Sequence, residues 1–94
     1  MVKEDNIIFI GKKPFMNYVT AVMMQFKNNN VDEVLIRARG KSITKAVDVA
    51  LVAVERFLDN KVSIKDVKIE SEIIKEENKE TRVSCIDILL SKND

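Results

Sequence analysis

Two short stretches gather the residue types that grip a polyanion. Gly11-Lys12-Lys13-Pro14 is a tight turn with adjacent lysines in front of a helix, and Arg37-Ala38-Arg39-Gly40-Lys41-Ser42 sets three cations around a glycine that separates two segments. A helix N-terminus carries unpaired N–H groups and a partial positive charge, so lysines beside it are unfavourable until an anion arrives. A phosphate oxygen satisfies both. Asn17, just after Pro14, can donate to a phosphate or a sugar. The same lysines also fit an ordinary solvated turn. Gly40-Lys41-Ser42 resembles the close of a P-loop, but the opening glycine of that motif would fall where Leu35 stands, which argues against nucleotide hydrolysis.

Other chemistries lack their residues. The chain has no histidine and one cysteine, Cys85, so the usual zinc ligand sets, an internal disulfide and every histidine-activated nucleophile are missing. No enzyme activity, metal or cofactor is expected, and Cys85 reads as a small apolar strand residue. The 94 residues suit a single domain over 1–94, and the net charge is only +1. Its distribution says more than its total. Residues 11–45 carry seven basic side chains against Asp32 and Glu33, a net +5, whereas residues 46–94 carry −3 and residues 1–10 carry −1. One basic region is expected, rather than a uniform field. No apolar run approaches the ~20 residues of a membrane span and the start has no signal-peptide pattern, so a soluble, cytoplasmic protein is expected.

The elements that would position these cations follow from periodicity. Asn6–Ile10 reads as a buried strand ended by Gly11, and Pro14–Lys27 as a helix with Phe15, Val19, Val22 and Phe26 on its inner face. Tyr18 fits that stripe, or can stack. Val31–Arg39 alternates as a half-buried strand. From Ser42 the positions Ile43, Ala46, Val47, Ala50, Leu51, Val54, Phe57 and Leu58 hold a helical series, and Val49, Val52 and Ala53 form a second apolar patch beyond it. So apolar a helix in so small a chain predicts a partner subunit. Val62–Ile74 and Arg82–Leu90 read as the strands of a hairpin with polar Glu76–Glu80 between them, and Val83, Cys85 and Leu89 on the outer face of the second strand also suggest an interface. The expected fold is an α/β chain of the α+β two-layer sandwich type: β-α-β-α-β-β, a four-stranded mixed sheet with both helices on one face and a long C-terminal hairpin arm.

Phe9-Ile-Gly-Lys-Lys-Pro-Phe-Met-Asn-Tyr-Val19 and Arg37-Ala-Arg-Gly-Lys-Ser-Ile-Thr-Lys-Ala-Val-Asp48 resemble the two signature stretches of the Alba proteins of archaeal chromatin and RNA metabolism. The resemblance continues through Arg56-Phe57 and the strand Arg82–Ile88. It implies a homodimer that binds duplex DNA or RNA on the chromosome, with the hairpin arms reaching along the grooves. Lys12 and Lys13 would lie at the centre of the binding surface, with Asn17, Arg39 and Lys41 as further contacts; Arg37 beside them and Arg82 on the arm are further candidate contacts by charge. Lys12 matches an acetylated position, and Phe57 matches a dimer-to-dimer contact, although its place in the helical stripe fits an internal role equally well. The departure is charge: Glu70, Glu72, Glu76, Glu77 and Glu80 crowd the hairpin, which predicts weaker nonspecific binding. Two other readings are an RNA-binding subunit of a ribonucleoprotein such as ribonuclease P, and a protein-interaction module with little nucleic-acid affinity.

Overall fold

Runs of Val and Ile that alternate or stay short become strands, and runs of helical period become helices. The computed structural model describes residues 3–93; in it β1 spans Ile7–Phe9, α1 Phe15–Lys27, β2 Glu33–Arg39, α2 Ile43–Val52, β3 Val62–Glu76 and β4 Lys79–Lys92. Pro14 caps α1 from outside in an extended conformation, φ −56° and ψ 147°, since its ring fixes φ and it has no N–H to lose. Asn28 to Asn30 end the helix, with Asn30 in the left-handed region at φ 51°.

The sheet order is β1-β2-β4-β3, with β1 parallel to β2 and the other pairs antiparallel. Side chains alternate across it. Val34, Ile36 and Ala38 of β2 and Ile86, Ile88 and Leu90 of β4 are buried beneath the helices, where they meet Val19 and Val22 of α1 and Ala46, Val49 and Ala50 of α2. The opposite, open face carries Phe9, Arg37, Asp87 and Lys68 as one row and Arg39, Cys85 and Glu70 as the next.

The phase of α2 differs from the expected one. Val49 and Ala53, expected at a subunit interface, have no exposed surface because they point straight into the chain's own core. Val52 lies on the flank shared with Lys45, turned toward α1, and packs against that core. The side chains left outside are Val47 and Leu51 on the other flank, which the expected series had placed inside, at 36% and 39% exposure. The last turn, Ala53–Phe57, widens so that the Leu58 N–H donates to the Ala53 carbonyl at 2.9 Å.

The hairpin is longer than its apolar content suggests. Strand pairing continues to Glu76 opposite Lys79, and Glu77 and Asn78 make the turn, with Glu77 at φ 32°. Polar residues suffice there because a two-stranded ribbon buries neither face. Past Arg39, the last β2 residue paired with β4, the segments Ser71–Glu76 and Lys79–Ser84 form an arm about 20 Å long at ~3.4 Å per residue. Because β4 runs antiparallel to β2, the arm projects from the end of the sheet where β1 and β2 finish.

Candidate nucleic-acid interface

Parallel pairing of β1 and β2 brings their C-terminal ends, and so the two basic loops, to one end of the sheet. The loop after β1 is pinned from inside. Tyr18, 7% exposed, accepts hydrogen bonds at its Oη from the N–H groups of Gly11, at 2.9 Å, and Lys13, at 3.0 Å. Lys45, from the first turn of α2, donates Nζ hydrogen bonds to the carbonyls of Gly11, at 2.8 Å, and Lys13, at 3.2 Å, with its ammonium 5.7 Å from the centre of the Tyr18 ring. One tyrosine thus takes the loop's donors and one lysine takes its acceptors. A Cβ on residue 11 would lie 3.4 Å from the Tyr18 hydroxyl, so glycine suits this close approach. Gly40, at φ +54°, fills the left-handed position where β2 turns toward α2.

The pinned backbone leaves the lysine side chains outside. Lys12, Lys13 and Lys41 are exposed and, among the described residues, lie in no ion pair. Asn17 is exposed in the first turn of α1 and lines a shallow depression with Lys13. The amides of Gly11 and Lys13 are engaged by Tyr18, so in this loop the ammonium groups, and not those two N–H groups, are free to meet an anion.

The arginines have other attachments. Arg37 forms a two-pronged pair with Asp87, Nε to Oδ1 at 2.8 Å and Nη2 to Oδ2 at 3.0 Å. That hydrogen bonding holds the Asp87 carboxyl below the usual carboxylate range, against the opposing effect of burial, and raises Arg37. Arg39 sits 3.5 Å from Glu72, both largely exposed, an attachment weak enough for a phosphate to displace. Arg82 lies exposed on the arm opposite Ile73, apart from the two loops. Cys85 is half-buried on the open face and donates to Glu72, and burial together with that contact pushes its thiol up. Val83 and Leu89 are half-buried on the same face. Phe57 is half-buried and packs against the core.

Lys45 is the residue that sequence reasoning left out of the site. Its charge is legible in the sequence, but nothing local to it points to a loop more than thirty positions earlier. The pairing of Arg37 with Asp87 had a signal, since both fall on outward positions of alternating strands, but their register appears only in the folded sheet. Among the described residues no three His, Cys, Asp or Glu side chains gather as a metal site requires, and no helix is long and apolar enough to cross a membrane.

The sequence profile of the Alba family matches residues 6–71. The DNA/RNA-binding protein Alba of Methanothrix thermoacetophila is 51% identical over 89 residues, spanning 95% of this chain and 98% of that protein. Its counterpart in Thermoplasma acidophilum is 47% identical over the same shares. The solved structure of Alba from Thermoplasma volcanium superposes with a TM-score of 0.84 at 46% identity, covering 93% of this chain and 100% of that one. ALBA1 from Trypanosoma brucei, at 22% identity and a TM-score of 0.74 over 99% of this chain and 74% of its own, shares the fold. With the profile covering most of the chain and relatives near half identity over almost its full length, this protein belongs to the Alba family.

Proposed function

We propose that the protein is a non-catalytic binder of duplex DNA or structured RNA, in which Lys12, Lys13 and Lys41 neutralise phosphates at the end of the sheet from which the hairpin arm projects. The observation that carries this reading is the pinned loop: its backbone is held by Tyr18 and Lys45 while its two ammonium groups stay exposed and unpaired among the described residues. Asn17, which shares a depression with Lys13, and Arg39, two residues before Lys41, add contacts, and Arg82 reaches the same polyanion from the arm. Arg37, engaged by Asp87, serves the site as a strut. The curated relatives' names, DNA/RNA-binding protein Alba, support the same activity. Lys12, exposed on this loop, is the position where acetylation would weaken binding, by removing a charge that faces phosphate. The place of action is the chromosome, in the cytoplasm.

The working unit is a homodimer. On the helix side of β3, an edge strand, Ile64, Val67, Ile69 and Ile73 are 38% to 75% exposed, and Val47 and Leu51 of α2 lie on the flank away from α1. That apolar surface suits a second copy of the chain, and it replaces the patch expected from Val49, Val52 and Ala53. Twofold pairing doubles the lysines available to one nucleic acid.

A salt titration of affinity for a 20-base-pair duplex tests the phosphate contacts. Each one lost flattens the slope of log affinity against log salt by about 0.9. Lys12→Ala with Lys13→Ala should therefore flatten it by up to about 4 in a dimer, and an unchanged slope removes those lysines from the interface.

A further inference from the structure

The open face of the sheet holds a second feature beside the basic loops. Phe9, the last residue of β1 and two positions before the loop, is 62% exposed. Its neighbour in register, Arg37, places its guanidinium 5.8 Å from the centre of the Phe9 ring, and the two-pronged pair with Asp87 fixes that guanidinium in place. The ring therefore has one supported side and one side in solvent. Next to it is a shallow cavity of about 340 Å³ lined by Phe9, Arg37, Arg39, Glu70, Glu72 and Asp87.

The chemistry of that lining selects which part of a nucleic acid fits. The cavity holds three carboxylates against two arginines, with Arg37 paired to Asp87 and Arg39 near Glu72, so at net −1 it gives a phosphate no preference, whereas an uncharged base meets an aromatic face to stack on and carboxylate oxygens with lone pairs left to accept from an exocyclic amino group. The phosphates on either side of such a base would then fall toward Lys12, Lys13 and Lys41. A base inside a duplex presents its edge and not its ring face, so the occupant has to be unpaired.

We infer that Phe9 and the cavity beside it form a second subsite, which takes one unpaired nucleobase bearing an exocyclic amino group, stacked on Phe9. This rests on the reading of the lysine loops as a phosphate surface and adds to it a means of distinguishing single-stranded or looped segments from plain duplex.

The test is fluorescence anisotropy with three labelled probes, an octamer of cytidine, an octamer of uridine and a 20-base-pair DNA duplex. The proteins are the unaltered chain, Phe9→Ala, Phe9→Tyr and the Lys12→Ala, Lys13→Ala double variant. Phe9 is largely exposed, so its replacement leaves the fold intact, which a thermal melt verifies. Cytidine should bind several-fold tighter than uridine, since the two differ at the amino or oxo group that meets the carboxylates. Phe9→Ala should weaken the cytidine octamer about tenfold and leave the duplex within twofold, and Phe9→Tyr should restore it. The subsite is overturned if the cytidine octamer does not bind, if it binds no better than uridine, or if Phe9→Ala weakens neither single strand or weakens duplex equally. The double lysine variant separates the two readings: unchanged duplex binding in it refutes the phosphate surface, whereas the Phe9 comparison refutes only the base subsite.

Discussion

Replacing Tyr18 by Phe isolates the pinning of the basic loop from its charge. The ring keeps its buried place and all lysines remain; what is lost is the Oη that accepts from the Gly11 and Lys13 amides at 2.9 and 3.0 Å. A net ~1 kcal/mol for each hydrogen bond gives a loss of about 2 kcal/mol. For a chain of this size that lowers the melting temperature by roughly 8–16 °C, compared at equal protein concentration because dimerisation also contributes. Binding should suffer in a diagnostic way. The freed loop has to be ordered when nucleic acid arrives, so affinity falls several-fold, while the salt slope stays as in the unaltered protein because the number of phosphate contacts is the same. Calorimetric melting and a duplex salt titration read the two quantities. A Tyr18→Phe protein that melts and binds like the original would refute the claim that this hydroxyl organises the loop. One that shows the flattened slope of a lysine deletion would refute the separation of scaffold from charge.

Four further outcomes follow from named contacts. Leu51→Asp combined with Ile69→Asp places charges on the exposed apolar surface, and sedimentation velocity should then show a folded monomer; a persisting dimer would move the interface elsewhere. Lys12→Gln, an imitation of acetylation, should flatten the salt slope by about 0.9 per subunit without changing the melting temperature. Asp87 has its pKa lowered by Arg37, so its contribution to stability is fully present above the unfolded value of ~3.9 and is lost as pH falls through the lower folded value; urea midpoints for Asp87→Asn should lack that acid-side loss. Glu77→Gly relieves a non-glycine residue at φ 32° and should stabilise the hairpin turn by about 1 kcal/mol, visible as slower amide exchange in Lys79 and Glu80.

The order of elements was legible because each inner face has a strict period: Val34, Ile36 and Ala38 repeat every second residue, and Phe15, Val19, Val22 and Phe26 every third or fourth. The rotation of α2 was less so. Ala46, Val47, Val49, Ala50, Leu51, Val52, Ala53 and Val54 make that helix apolar nearly all round, and periodicity cannot choose a face when every face qualifies. Packing decided it: Ala46, Val49, Ala50 and Ala53 are buried in the core, and Val47 and Leu51 lie outside. At the candidate site the cations could be found by composition and local order. Their surroundings could not, because Tyr18 to Gly11, Lys45 to Gly11, Arg37 to Asp87 and Arg39 to Glu72 are all tertiary contacts between residues of different elements or loops.

The acidic side chains of β3 have a consequence for self-association. The strand is long, lies at the edge of the sheet, and carries Ile64, Val67, Ile69 and Ile73 on one side, the composition from which open-ended fibrils grow by adding strand to strand. Asp66, Glu70, Glu72 and Glu76 alternate with those residues and face the other way, so the β3 edge of another copy laid against this one would bring like charges into line. Exchanging these carboxylates for neutral glutamines would strip that protection, and the variant should precipitate as sheet-rich aggregate at low salt where the original stays clear.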